Sequence, residues 1–227
     1  RGELEKENVW RMKEVTKIPV GNPLRFRRYV PSPRPVAIFP EDLSRIQTSL
    51  KRGNLVVAMG GGGVPGYLKD GMITGFNGVI DKDRASAELA VQLNADFLII
   101  FTGADGFYWD FGTPNARQEL VLTVEEAARI LSEYPEQAGE GSMEPKLEAA
   151  IYFVLRTGKP AIICLAQNST RALEGRAGTR IVRAMSDFPA VSRTASSPIA
   201  SFTPMLAEAS LVTVALWALG ITFAVQI

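Results

Sequence analysis

Two runs in this chain have almost nothing to offer water: Phe97-Leu98-Ile99-Ile100-Phe101 and Ala161-Ile162-Ile163-Cys164-Leu165. Both are short and continuously apolar, so they read as strands buried on both faces rather than as half-exposed ones. Leu55-Val56-Val57-Ala58-Met59 reads as a third strand, running into Gly60-Gly61-Gly62-Gly63. Between these runs lie helical patterns. Leu43, Ile46 and Leu50 mark one face of a helix that starts near Pro40 and stops at Gly53. A second helix is expected from about Asp81 to Asn94. Thr123 and Glu126 have capping-box spacing ahead of Ala127, Ile130 and Leu131. Leu147, Ala150, Ile151 and Val154 form one stripe on a further helix that Gly158 ends. Tyr67-Leu68 and Met72-Ile73 flank Asp70-Gly71, which predicts a hairpin. Apolar strands alternating with amphipathic helices make the class α/β, with a mainly parallel sheet covered on both faces.

What is missing narrows the chemistry. The chain has no histidine, which removes Ser-His and Cys-His nucleophiles and histidine-based metal sites. Its one cysteine, Cys164, sits inside an apolar run and reads as a small buried hydrophobe, which fits a reducing compartment. Formal net charge is +1, so nothing argues for nucleic acid as a partner, and Arg25, Arg27 and Arg28 read as a solvated face. Chemistry is left to Lys, Asp, Glu, backbone amides and a bound metal ion.

Gly60 to Gly63 follow a predicted strand, where α/β sheets place their ligands, and their amides can approach an anion closely. Gly61, Gly63 and Gly66 spell G-x-G-x-x-G, but Pro65 and the Asp70-Gly71 turn stand where the helix of a dinucleotide site would begin. No P-loop pattern is present. Asp81-Lys82-Asp83 lies at a strand-to-helix junction; acidic residues there suit a helix N-terminus, which by itself suffices to explain them, and the functional alternative puts Lys82 at a polyphosphate. Lys146, in the first turn behind Pro145, opposes the helix dipole unless an anion binds beside it. Phe107, Tyr108 and Trp109 follow the loop Thr102 to Gly106; they could flank an adenine, although a core cluster is the commoner fate of such residues.

Taken together, these residues resemble the carbamate kinase branch of the amino-acid kinase superfamily. The likeness runs from Arg28-Tyr29-Val30-Pro31-Ser32-Pro33 through Gly60 to Pro65, Val79-Ile80-Asp81-Lys82-Asp83 and Thr102 to Tyr108. It continues at Gly141 to Lys146, Glu148 to Ile151, Glu174-Gly175 and Ala177-Gly178-Thr179. The resemblance implies a three-layer α/β/α sandwich, of which the C-terminal two thirds are represented. It further implies reversible phosphoryl transfer between ATP and carbamate, giving ADP and carbamoyl phosphate, with Mg2+, in a cytoplasmic homodimer serving arginine breakdown. By the same likeness, Lys82, Asp83 and Lys146 would be catalytic, the lysines neutralising phosphates and Asp83 orienting one of them. Gly60, Gly61, Gly62 and Gly63 would line the phosphoryl or carbamate side, and Thr102, Tyr108, Met143 and Pro145 would border the nucleotide. No protein-bound metal ligand set is implied.

Three positions depart from the pattern: Met59 stands for a serine, Gly103 for an aspartate and Glu144 for a glycine. Those departures, with the absent N-terminal part, keep a second reading open, a non-catalytic nucleotide-binding remnant. A third is a relative acting on another acid or on a nucleoside monophosphate, against which Val30-Pro31-Ser32-Pro33 argues. The chain starts at Arg1 rather than Met and reads as part of a longer protein.

Three segments are expected: an arm over residues 1–35, a nucleotide-binding lobe over 36–182, and a tail over 183–227 outside the family pattern. From Ala209 to Ile227 the tail carries no charge. Its readings are a C-terminal membrane anchor, a strand or helix lying on the main domain, or foreign sequence from a reading-frame error, the last being favoured.

Overall fold

The computed structural model describes residues 32–59, 63–138 and 143–187. It also describes the backbone of four short strands, β1 (Arg11–Glu14), β2 (Phe26–Tyr29), β11 (Leu211–Val212) and β12 (Phe223–Gln226).

The two apolar runs form β5 (Phe97–Phe101) and β9 (Ala161–Cys164), every residue of both buried. They pair in parallel, Leu98 opposite Ala161 and Phe101 opposite Cys164. Alternation along each strand then sends side chains to opposite faces. Leu98, Ile100, Ala161 and Ile163 enter the larger core, with Leu89, Leu147, Phe153 and Ile130 from the helices. Phe97, Ile99, Phe101, Ile162 and Cys164 enter a second core beneath Ala172 and Leu173. Each such large side chain contributes roughly 1.5–3 kcal/mol by leaving water, which is why runs without a polar residue settle at the centre of a sheet.

The larger core is covered by α1 (Pro40–Lys51), α2 (Lys82–Gln92), α3 (Val124–Glu133) and α5 (Glu144–Thr157), with α4 (Pro135–Ala138) alongside. The short α6 (Ser169–Leu173) covers the other face, giving three layers. Local chemistry sets the helix ends. Thr123 and Glu126 close the capping box at α3, and Gly158, at φ 74°, ends α5 in the left-handed conformation. The Asp-Gly turn joins β3 (Gly66–Lys69) to β4 (Met72–Gly75) as expected, so a strand and not a helix follows the glycines. A second hairpin pairs β6 (Phe107–Trp109) with β7 (Arg117–Glu119).

The α/β class holds, and the sheet is a mixed one. Its order is β11-β12-β5-β9-β10-β8, where β8 is Val121–Thr123 and β10 is Thr179–Val182. The β5–β9 and β10–β8 pairs are parallel; β10–β9, β12–β5 and β11–β12 are antiparallel. Runs of apolar residues announce burial on two faces but carry no sign of strand direction.

One expected strand is absent. Residues 54–59 form no strand, although Val56, Ala58 and Met59 lean on the larger core. Leu55 and Val57 point away and are 62% and 63% exposed. The pleat-like alternation is there, but no described strand lies alongside to accept its backbone hydrogen bonds, and a ladder needs two sides.

The tail meets the sheet on the free side of β5. Phe223 to Gln226 pair antiparallel with Ile100 to Phe97, and Leu211 and Val212 pair with Gln226 and Val225. That pairing corresponds to the strand lying on the main domain, one of the three readings of the tail. No helix among the described residues is long and apolar enough to cross a membrane. The Ser- and Pro-rich stretch 188–210 lies outside the described residues.

Candidate functional site

Both α2 and α5 lead into central strands, α2 into β5 and α5 into β9. Their N-termini therefore face the carboxyl edge of the β5–β9 pair, where open α/β sheets bind ligands. The Thr102 loop leaves from that same edge, with the Thr102 amide donating to the Cys164 carbonyl at 3.0 Å.

At the head of α2, two acidic residues divide the work. Asp81 is the N-cap, its Oδ1 accepting from the amides of Asp83 at 2.9 Å and Arg84 at 3.1 Å. That leaves Asp83 free of the capping role. It is fully buried and accepts the Lys146 Nζ on Oδ2 at 3.0 Å, with Lys82 Nζ at 3.9 Å from the same oxygen. Lys146 is itself only 5% exposed. Burial pushes the Asp83 carboxyl above the usual carboxylate range, against the pull of Lys146 and Lys82. Its Oδ1 has no hydrogen-bond partner among the described residues. Two ammonium groups thus converge on one carboxylate between two helix N-termini, an arrangement that concentrates positive potential.

The structure brings together Lys82, Asp83 and Lys146, as the sequence led us to expect. Met143 and Pro145 open α5 beside Lys146. Glu144 is exposed, so its charge faces solvent at the helix's first turn instead of the buried pair. Gly60, Gly61 and Gly62 lie outside the described residues, as do Gly141 and Ser142. Gly63 is described: its φ is 83° and its amide donates to the carbonyl of Met59, itself left-handed at φ 71°.

Thr102 and Tyr108 sit in the loop and hairpin after β5. The aromatic run splits between two fates. Phe107 and Trp109 stack edge-to-face at 5.4 Å, Trp109 does the same with Tyr134 at 5.6 Å, and its Nε1 donates to Glu119. These two belong to the packing. Tyr108 is half-buried against Phe111 at 5.8 Å. Burial and then the nearby Asp105 raise its phenol above the ordinary value.

The edge is fastened by residues that carried no role in the sequence reading. The Asp105 Oδ1 accepts the Leu165 amide at 3.1 Å, joining the loops after β5 and β9. Thr179 Oγ1 accepts from the Phe107 amide at 2.7 Å and donates to the Glu119 carbonyl at 2.5 Å. Arg84 and Glu148 pair across α2 and α5. Thr179 and Glu148 fall inside stretches that carry the family resemblance, but a motif does not say which atom a side chain meets.

Cys164 is fully buried, and burial pushes its thiol up to about 12, with Asp105 adding to the shift. Because reactivity follows the thiolate, labelling by a small disulfide at pH 8 is expected to run about a thousandfold slower than for a free cysteine. Labelling of the native protein at the rate of the denatured one, followed by absorbance, would contradict this placement.

In this three-layer α/β domain, Lys82, Lys146 and two helix N-termini meet at the carboxyl edge of the sheet, where open α/β sheets bind ligands. A model of the amino acid kinase family matches residues 16–165, and the chain belongs to that family. It is 44% identical over 181 residues to the carbamate kinase of Thermoplasma acidophilum, covering 80% of this chain and 56% of that one. To the Halobacterium salinarum carbamate kinase it is 45% identical over 160 residues, 70% of this chain and 50% of the relative. Among solved structures, the Giardia lamblia carbamate kinase bound to AMP-PNP superposes with a TM-score of 0.64 at 34% identity. That match covers 75% of this chain and 52% of the other. The chain thus spans about half the length of the relatives it matches.

Proposed function

We propose that this chain is the nucleotide-binding part of a carbamate kinase, catalysing reversible phosphoryl transfer between ATP and carbamate. The observation that carries the reading is the buried Lys146–Asp83 pair, with the partly exposed Lys82 beside it, at the head of two helices in a chain 44% identical to a carbamate kinase. Phosphoryl transfer asks a protein chiefly for position and positive charge, and no histidine is needed for either. Lys146 and Lys82 would neutralise the phosphates of ATP or ADP while Asp83 holds Lys146 in place. Thr102, Tyr108, Met143 and Pro145 would border the nucleotide, and Gly60 to Gly63 the carbamate side.

Among the described residues no three acidic, cysteine or histidine side chains gather as a metal cage. A Mg2+ ion accompanying the nucleotide is part of the proposal. Its chemistry would be charge neutralisation on the transferred group. A cytoplasmic homodimer in arginine breakdown, with an arm at 1–35, a lobe at 36–182 and a tail at 183–227, completes the proposal.

A second reading is favoured by one observation. The Leu55–Met59 segment that leads to the glycines has no strand partner among the described residues, and Leu55 and Val57 stay exposed. A chain in that state would bind nucleotide yet turn over slowly or not at all. The deciding experiment measures ATP formed from ADP and carbamoyl phosphate with Mg2+, for this chain and for Lys146→Ala. Turnover lost in the variant supports the kinase; ADP binding without turnover supports the second reading. Neither binding nor turnover in the folded protein would refute both.

A further inference from the structure

We propose that Glu148 is a positioning residue for the phosphate-binding lysines, an inference that rests on the phosphotransferase reading above. Glu148 stands two residues beyond Lys146 on α5, as Arg84 stands one beyond Asp83 on α2. Its Oε2 accepts Nε of Arg84 at 3.0 Å and the same guanidinium's terminal NH2 group at 2.5 Å. Its Oε1 accepts Arg34, on the extended arm, at 2.9 Å. One carboxylate therefore holds two guanidinium groups from two other segments.

The two crossings between α2 and α5 have opposite polarity. In the first, α2 supplies the anion, Asp83, and α5 the cation, Lys146. In the second, α2 supplies the cation, Arg84, and α5 the anion, Glu148. A slide of the helices by about one residue would bring Asp83 toward Glu148 or Arg84 toward Lys146, like charge against like. The reversed pairs consequently define a single register, a role for which ionic groups at packed interfaces are best attested. A third crossing continues the ladder: Tyr152 donates to Glu88 Oε2 at 2.5 Å, and burial first, then Glu88, raises the Tyr152 phenol.

The register matters because both lysines project from the first turns of these helices. Arg34 of the arm depends on the same carboxylate, and just beyond the arm the Ile38 amide donates to Gln92 on α2 at 3.3 Å. Glu148 thus holds the heads of α2 and α5, and the arm, in one arrangement around Lys82 and Lys146. It need not touch the nucleotide to do so.

Charge and position predict opposite signs, which makes the idea testable. Glu148→Gln removes a negative charge near an anion site, so by charge alone polyphosphate binding should tighten. A positioning role predicts the reverse. Dissociation constants for ADP and for adenosine are to be measured by calorimetry and competition on the full chain. We expect Glu148→Gln to weaken ADP about tenfold, a scale typical of small misplacements at such sites, while adenosine binding is unchanged because it does not use the lysines. Equal or tighter ADP binding by Glu148→Gln would overturn the proposal. So would an equal loss for ADP and adenosine, which marks a general loosening of the fold. A parent chain with no preference for ADP over adenosine would instead refute the phosphotransferase reading on which the inference stands.

Discussion

Replacing Lys146 with methionine is expected to weaken ADP binding by about 10–100-fold, the equivalent of one charge-assisted hydrogen bond at about 1.5–3 kcal/mol. Methionine keeps most of the volume of the lysine stem, so the loss reports the ammonium group and not a cavity. The expected fate of Asp83 matters to the interpretation. Removing one partner of a buried ion pair ordinarily costs about 3–5 kcal/mol because the other charge is stranded. Here burial already lifts the Asp83 carboxyl above its usual range, and Lys146 is the strongest influence pulling it down. Without that lysine the carboxyl should rise further and take up a proton, so the variant stays folded with a smaller loss. The sign for pH follows: the neutral carboxyl is favoured by the fold, so stability from this group is present at low pH and declines as pH rises through its folded value. Calorimetric titration with ADP, beside a thermal melt, checks both parts. Unchanged ADP affinity would remove Lys146 from the site.

The second large effect concerns the fold beside the site. Gly178 has φ 70°, and a Cβ built there would lie 2.8 Å from both the Ile163 carbonyl oxygen and the Cys164 Cβ. Neither neighbour can move cheaply, because both belong to the fully buried β9. Gly178→Ala combines a left-handed backbone cost of about 1–2 kcal/mol with overpacking of about 1–3 kcal/mol. A loss near 3 kcal/mol, lowering the melting temperature by about 10 °C, is the expected result. Gly53, equally left-handed but with nothing within 4 Å of its would-be Cβ, is the control, since only the backbone contribution operates there. Equal losses at the two positions would contradict the packing described around β9.

How legible these features were in the sequence depended on how local their causes are. The Thr123–Glu126 box, the Gly158 stop and the Asp70-Gly71 hairpin are decided within a few residues, and each formed where the pattern put it. The β5 and β9 runs were legible because complete burial leaves no other structure so short. Leu55–Met59 looked the same on paper, but strand formation is settled by a neighbouring chain that no local pattern contains. The mixed direction of the sheet was hidden for a similar reason: antiparallel β10 follows from where α6 and the Gly178 turn return the chain.

The candidate site divided in the same way. Lys146 drew notice because a lysine in a first helical turn is electrostatically out of place. Its pairing with Asp83, 63 residues away, and that of Arg84 with Glu148, 64 away, are tertiary facts. Only the packing register of two helices creates them. The family resemblance named Lys82, Asp83 and Lys146 together without saying what each side chain meets.

The central claim is that Lys82, Asp83 and Lys146 form the phosphate end of a nucleotide site whose other border is Thr102 and Tyr108. The most direct test is an ADP titration followed by backbone amide shifts across the isotope-labelled chain. The account predicts saturable shifts concentrated at 81–84, 102–108 and 143–148, with inorganic phosphate moving the first and last of these groups but not the middle one. Saturable shifts centred elsewhere, or none at millimolar ADP in the folded protein, would contradict it.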